Sequence, residues 1–179
     1  MVPRTPDEAY AAAAIRRGEL GFEPPRGVTR IEAWRGLARV AMGCEGRPKD
    51  LTRIFRPLTD AGISVDLIKL HESSLHFALP TEDLEHCLEV LRGLGCQVEA
   101  LSDCALVTVF APDMRSIAGV MGRIVGALQR AGVSILETDD SYNAVFCLVE
   151  VDHARQACEA LADEFDLAPE DLEGPSVNW

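Results

Sequence analysis

The sequence predicts an α+β protein made of two similar units, each an antiparallel sheet covered on one face by two helices. Three observations support this prediction. Residues 53–68 and residues 123–138 read alike at a distance of about seventy positions, as expected for an internal duplication. Strand-like and helix-like segments follow one another in the same βαββα order around each copy. Apolar residues make up 47 % of the 179 residues, which is enough to fill the cores of such units.

The first copy begins with a short apolar strand at residues 37–43. A helix is expected next, because Pro48 suits a first helical turn, apolar residues recur on one helical face, and Gly62 suits a helix end. Two strands joined by a polar turn follow at residues 63–70 and 74–80. Thr81 is the expected N-cap of a second helix, whose apolar face runs from Leu84 to Leu94, and a last strand follows at residues 96–101.

The second copy repeats this order from a strand at residues 104–111. Its first helix is predicted from about Ala118 to Gly132, because apolar residues recur at helical spacing there. Two strands follow at residues 133–138 and 143–151, and Asp152 is the expected cap of a second helix whose apolar face runs from Ala154 to Leu161. This copy lacks a final strand of its own, because residues 168–179 contain prolines and acidic residues without an alternating apolar pattern.

Residues 28–33 have no place in the first copy, yet they alternate and carry β-branched side chains. We therefore predict that they supply the missing strand of the second copy. The result is two ferredoxin-like βαββαβ units, the first inserted into the second. The first unit is predicted at residues 36–101, and the second unit at residues 27–35 plus 102–167. An N-terminal extension at residues 1–26 and a C-terminal tail at residues 168–179 flank them.

The charge of the chain disfavours several classes of partner. Lys and Arg number 17 against 29 Asp and Glu, for a net charge of −12. Such a surface repels phosphate groups, so neither nucleic acid nor a membrane is expected as a partner. Aromatic residues, at 6 %, are too few for an RNA-stacking sheet. The N-terminus does not read as a signal peptide, and we expect a cytoplasmic protein.

The titratable side chains form no recognisable catalytic or metal-binding motif. The six cysteines contain no C-x-x-C pair and are interpreted as buried reduced thiols. The four histidines contain no H-x-x-x-H pair, so no metal site is predicted. Without a recognisable nucleophile–base pair, a small hydrolase or transferase is disfavoured. We predict no catalytic residue and no cofactor.

The second copy resembles the C-terminal regulatory region of aspartokinases. That family commonly reads M-R-S-x-P-G-V, then a helix ending A-G-I-x-I, and closes on a helix ending H-x-A-F-E-L. Residues 135–149 are most similar to the diaminopimelate-sensitive type, and the whole resemblance covers about residues 27–167. The matching positions are Met114, Arg115, Ser116, Ala118, Gly119 and Val120, then Ala131, Gly132, Val133 and Ile135, then Glu164, Phe165, Asp166 and Leu167.

The resemblance implies that both units are ACT domains, which bind free amino acids. It implies a non-catalytic regulatory part that senses lysine, threonine or diaminopimelate, forms a homodimer, and has an aspartokinase catalytic subunit as a further candidate partner. The K-[FY]-G-G-[ST]-S motif of the kinase domain is absent from these 179 residues, and the initiator Met favours a separate regulatory chain. An alternative is an ACT-only oligomerisation or regulatory module that no longer binds ligand.

A ligand site is expected where the loop after the first strand of each unit meets the facing second strand. The helix that follows the loop favours a carboxylate at its N-terminus, and the facing strand can supply groups for an ammonium. Lys49 stands where the family has Gly. Asp66 and Glu72 match family ligand positions, with solvated strand-end acids as the alternative. The candidates are Arg47, Lys49, Asp50, Leu51, Val65, Asp66, His71 and Glu72 in the first copy, and Met114, Arg115, Ser116, Ala118, Gly119, Val120, Ile135 and Asp139 in the second.

Overall fold

The computed structural model describes residues 27–43, 51–94 and 97–174. Short 3₁₀ turns at Thr81–Asp83, Met114–Ser116 and Val151–His153 precede three of its helices. Within the described ranges the chain forms the following elements, in order: β1 (Arg30–Gly43), α1 (Thr52–Asp60), β2 (Asp66–Leu70), β3 (Ser74–Pro80), α2 (Leu84–Gly93), β4 (Val98–Phe110), α3 (Val120–Arg130), β5 (Glu137–Asp140), β6 (Ala144–Glu150), α4 (Ala154–Phe165) and β7 (Leu172–Glu173).

The strands form one sheet in the order β2-β3-β1-β4-β6-β5. Neighbours along this path are antiparallel, and both units share the long central strands β1 and β4. Residues 30–35 of β1 pair with residues 105–110 of β4, whereas residues 37–43 of β1 pair with β3. The segment ahead of the first unit therefore completes the sheet of the second. This confirms the predicted fold class, in which the first unit is inserted into the second.

The sequence predicted two separate strands where the structure has the single strand β1. The reason is a bulge at Gly36, which has a φ of +84° and adds one residue opposite β4. A compensating irregularity in β4 lies beside Asp103, whose φ is +58°. The extra residue shifts the alternation, so the buried positions are Ile31 and Ala33 before the bulge but Ala38 after it. When the alternation of buried and exposed residues is interrupted in this way, the sequence alone predicts two strands instead of one.

Each unit has its own apolar core between its helices and its part of the sheet. Phe77, Leu58 and Leu91 are fully or almost fully buried in the first core. Ile31 and Ile124 are fully buried in the second. The helices α1 and α3 end as predicted, each before a glycine with positive φ, Gly62 and Gly132.

A third apolar cluster joins the two units on the face of the sheet that carries no helix. It contains the fully buried Ala78, Cys104 and Leu148. Leu67 on β2 and Leu136 beside β5 pack against it, although these strands lie at opposite edges of the sheet. The sheet is therefore curved, and the two edges approach one another.

The described part of the predicted C-terminal tail contains a strand that the sequence did not indicate. Leu172 and Glu173 form β7, which runs parallel to β1 and pairs with Ile31 and Glu32. The expectation that this segment is poor strand material was wrong at these two residues, because two ladder positions suffice beside an existing strand. No helix in the described ranges has both the length and the apolar character needed to cross a membrane.

Candidate functional site

In the second unit, the loop between β4 and α3 is held against the turn between β5 and β6. The Ala111 N–H donates to the Asn143 carbonyl oxygen at 3.0 Å, and the Met114 N–H donates to the Tyr142 carbonyl oxygen at 3.2 Å. Gly119 then adopts a φ of +72°, and α3 begins at Val120 without a side-chain cap. Within the described residues no side chain caps the first turn of this helix, so backbone N–H groups of that turn lack a side-chain partner.

The side chains predicted for this second site separate into buried and exposed groups. Met114 and Val120 belong to the second core, so only their backbone can contribute to a site. Arg115, Ala118 and Gly119 are exposed, and Ser116 lies in the 3₁₀ turn. The Arg115 guanidinium lies 5.9 Å from the centre of the Tyr142 ring. The further candidates are Ile135, which packs against the second core, and Asp139 on β5.

In the first unit, only part of the predicted site can be placed. Leu51 precedes α1, and its carbonyl oxygen accepts the Phe55 N–H at 2.9 Å. Val65 packs against the first core, whereas Asp66 is exposed at the start of β2. His71 and Glu72 are exposed in the turn between β2 and β3. The loop candidates Arg47, Lys49 and Asp50 lie outside the described residues.

A polar cluster joins the two units next to the third apolar cluster, and the sequence had indicated only one of its members, His71. We call Arg39, His71, His76 and Glu137 the inter-unit cluster. Glu137 Oε1 accepts from Arg39 Nε at 2.7 Å and lies 2.8 Å from His76 Nδ1. Arg39 Nη2 is 3.1 Å from that same nitrogen, and the ring centres of His71 and His76 are 4.7 Å apart. Strands β1 and β3 thus meet at a carboxylate carried by β5, and His71 from the turn lies beside His76.

The inter-unit cluster is shielded from solvent to different degrees. The Glu137 side chain is 8 % exposed, against 23 % for Arg39 and 20 % for His76. Beside the cluster, Lys69 Nζ lies 2.9 Å from Asp139 Oδ1, which joins β2 to β5. Burial acts to raise the pKa of Asp139, but hydrogen bonds from Lys69 and from the Asp140 N–H hold that pKa below its ordinary value. Asp139 is therefore a charged carboxylate at neutral pH.

The described cysteines are confirmed as buried thiols. Cys87, Cys104, Cys147 and Cys158 are all free and buried. Burial raises the pKa of Cys87 and Cys158 to about 11 and that of Cys147 to about 12. These side chains remain protonated at neutral pH and act as small apolar groups.

The spacing of residues gave only a weak signal for the inter-unit cluster. The H-x-x-x-H pattern describes histidines on a helix, whereas His71 and His76 are brought together by the hairpin between β2 and β3. In that hairpin the His71 N–H donates to the Ser74 carbonyl oxygen at 2.8 Å. Glu137 comes from the other unit, 61 residues after His76. Only the curvature of the sheet brings it close.

Comparison with known proteins finds an ACT-domain match and similarity to aspartokinases and their subunits. Residues 99–163 match the family model of the ACT domain. The aspartokinase of Geobacillus stearothermophilus is 30 % identical over 135 residues, which are 72 % of this chain and 33 % of that protein. The aspartokinase alpha and beta subunits superpose with a TM-score of 0.73 at 25 % identity, covering 79 % of this chain and 100 % of that chain. The ligand-free regulatory subunit of aspartate kinase from Thermus thermophilus has the same fold, with a TM-score of 0.70 at 20 % identity, covering 78 % and 99 %.

These findings confirm the resemblance to the ACT-domain regulatory region of aspartokinases. The chain spans about a third of the length of the aspartokinase that it matches, and its fold covers nearly all of a regulatory subunit. The 179 residues thus correspond to a non-catalytic regulatory part, as predicted. The similarity to the diaminopimelate-sensitive type stays a prediction.

Proposed function

We propose that the chain binds a free amino acid at its ACT units and so regulates an aspartokinase, with lysine, threonine or diaminopimelate as the effector. One observation carries this proposal: the ACT match over residues 99–163 contains the whole loop from Met114 to Val120 and the strand β5. The same loop and strand are where the resemblance to aspartokinases implies a ligand. An aspartokinase catalytic subunit is the proposed recipient of the signal.

The chemistry of the loop suits the carboxylate of an amino acid. The uncapped N–H groups at the start of α3 and the dipole of that helix favour an anion. Gly119 leaves the approach open, because a Cβ placed there meets no atom within 4 Å. Arg115 is exposed on the same loop and adds a positive charge. The negatively charged Asp139 on β5 favours the ammonium end of the ligand, in competition with Lys69.

Calorimetry with lysine, threonine, methionine and diaminopimelate tests the proposal. Gly119→Ala and Gly132→Ala form a matched pair, because these glycines flank the two ends of α3 with φ values of +72° and +73° and open space around each. Both changes should cost about 1 kcal/mol of folding stability. Only Gly119→Ala should weaken ligand binding, by tenfold or more. Equal weakening by both variants would contradict a site at the start of α3.

The alternative is an oligomerisation module that binds no amino acid. Ile68 and Leu70 favour it, because they are 43 % and 51 % exposed on β2, a strand at the edge of the sheet. We propose a homodimer in either case. Sedimentation at micromolar concentration with and without each amino acid separates the two functions. A dimer that ignores every amino acid tested supports the alternative.

A further inference from the structure

We propose that the inter-unit cluster is a pH-sensitive contact, in which protonation of His76 strengthens the hold of the first unit on the second. His76 lies on β3 of the first unit, and Glu137 begins β5 of the second. Histidine is the side chain that ordinarily changes its charge between pH 5 and 8. The two units therefore meet at a group whose charge depends on the acidity of the medium.

The Nδ1 atom of His76 has two competing partners. It lies 2.8 Å from Glu137 Oε1, which as a carboxylate oxygen accepts, and 3.1 Å from Arg39 Nη2, which donates. In a neutral ring this nitrogen has either an N–H group or a free electron pair, so it can satisfy only one of the two partners. Arg39 follows the bulge in β1 and belongs to the first unit, as His76 does. Neutral His76 therefore has a partner within its own unit that competes with Glu137.

Protonation of His76 ends this competition in favour of Glu137. Both ring nitrogens of a protonated histidine are donors, so Nδ1 can then bond only to the carboxylate. The bond joins opposite charges, and charge-assisted hydrogen bonds are roughly twice as strong as neutral ones. Since the Glu137 side chain is buried, water weakens this attraction only in part. The added proton thus strengthens a contact between β3 and β5.

The charged groups closest to His76 form neutral pairs. Arg39 opposes a positive charge on His76, but its Nε atom contacts Glu137 Oε1 at 2.7 Å, which leaves that pair neutral overall. Lys69 on β2 and Asp139 on β5 form a second neutral pair at 2.9 Å. The inner surroundings of His76 therefore contain as much negative as positive charge.

The groups further from His76 add negative charge at neutral pH. Burial raises the pKa of the Cys104 thiol on β4, so this side chain stays uncharged. His71 lies with its ring centre 4.7 Å from that of His76, and because it is exposed, water screens its charge. Exposed acids lie on β2, on the turn after it, on β4 and at the end of β6: Asp66, Glu72, Glu99 and Glu150. This excess of acids favours a proton on His76.

NMR of the histidine ring nitrogens in the full chain, followed from pH 8 to pH 5, tests the proposal. The signals of His76 are assigned by their loss in His76→Asn. Glu137→Gln keeps the shape of the side chain but removes its charge, so it should lower the proton affinity of His76 by about fivefold or more. Glu150→Gln should leave that affinity unchanged. His86 and His153 are internal controls, because they should titrate alike in the parent and in Glu137→Gln.

A double-mutant cycle with His76→Asn and Glu137→Gln connects the proton to the strength of the contact. Asparagine can donate a hydrogen bond but carries no charge at any pH. Urea denaturation of the four proteins gives the coupling between the two positions, and titrating groups elsewhere cancel in the cycle. Expressed as a ratio of equilibrium constants, the coupling at pH 5.5 should exceed that at pH 8 by about fivefold or more.

Two results would overturn the proposal: a proton affinity of His76 that Glu137→Gln leaves unchanged or raises, or a coupling that does not increase between pH 8 and pH 5.5. If Glu137→Gln does not fold, Glu137→Asp replaces it in both measurements. Aspartate keeps the charge but withdraws it by one carbon, so a decrease in proton affinity is again expected. Both measurements use the chain without any amino acid, so this inference and the proposed function fail independently.

Discussion

Lys69 and Asp139 form an ion pair at 2.9 Å between β2 and β5, the two strands at opposite ends of the sheet order. A flat sheet of six strands would keep these side chains far apart. Together with the apolar cluster around Ala78 and Leu148, the pair shows that the two units meet through their helix-free faces. The units therefore influence one another through direct contacts as well as through the shared strands.

The first prediction concerns the strength of this pair. A double-mutant cycle with Lys69→Met and Asp139→Asn should give a coupling of about 0.5 kcal/mol in the free energy of unfolding, because the side chains are partly exposed. Urea denaturation of the parent, both single variants and the double variant provides the measurement. The coupling should fall as salt is added. A coupling within error of zero would mean that the apolar cluster alone holds the edges together.

The second prediction concerns Glu137, the buried carboxylate that serves both Arg39 and His76. Glu137→Ala should lower the free energy of unfolding by about 3 kcal/mol, because it leaves the partly buried Arg39 without its anionic partner. Glu150→Ala is the matched control on an exposed strand end and should change stability by less than about 0.5 kcal/mol. Equal effects of the two changes, measured by chemical denaturation, would show that the inter-unit cluster is not stabilising.

The third prediction concerns the bulge in β1. Gly36 has a φ of +84° with open space around it, so Gly36→Ala suffers only the backbone penalty of about 1–2 kcal/mol. Gly122→Ala in α3 also meets open space but has an ordinary helical backbone, and it should raise stability by about 0.5 kcal/mol. Thermal unfolding of both variants gives the measurement. A neutral Gly36→Ala would mean that the bulge relaxes.

The fourth prediction concerns acid stability. The hydrogen bond from Arg123 Nε to Glu164 Oε1, at 2.8 Å, holds the pKa of Glu164 below its ordinary value of 4.5, and Arg130 adds to this effect. A lowered pKa in the folded state adds stability above pH 4.5, and that stability is lost as the pH falls through the folded pKa.

Glu164→Gln should therefore be less stable than the parent at pH 7, with a difference that shrinks toward pH 3. Unfolding curves measured across this range provide the test. Glu159→Gln is the control, because Glu159 pairs with Arg155 on the same helix and is largely exposed. A pH-independent difference for Glu164→Gln would show that the pairs with arginine do not contribute through charge.

Most of the fold could be predicted from the sequence, because the local patterns of glycines and apolar residues agree with the tertiary structure. Gly62 and Gly132 end helices where a left-handed residue is needed, and the apolar faces of the helices form the cores. The sequence could not predict that two strands join into β1, because the bulge at Gly36 breaks the alternation of buried and exposed residues. The tail strand at Leu172 and Glu173 depends on a partner far away in the sequence.

For the candidate site, the sequence could predict the backbone conformation of the loop before α3 but not the side-chain contacts between the two units. Gly119 and the start of α3 follow from the motif around them. The inter-unit cluster does not, because Glu137 and His76 meet only after the sheet has curved. Contacts between residues that lie far apart in the sequence cannot be predicted from local residue spacing. Met114 matched the family motif, yet its side chain serves the second core.

The shared strand β1 also sets the order in which the chain can fold while it is being made. Arg30 pairs with Phe110, which is 80 residues later, and ribosomes add about 5–20 residues per second. Residues 30–35 of β1 therefore wait roughly 4–16 s for that partner. During this interval residues 37–43 can already pair with β3. Ile31 and Ala33, however, remain exposed to water and to chaperones until β4 leaves the ribosome.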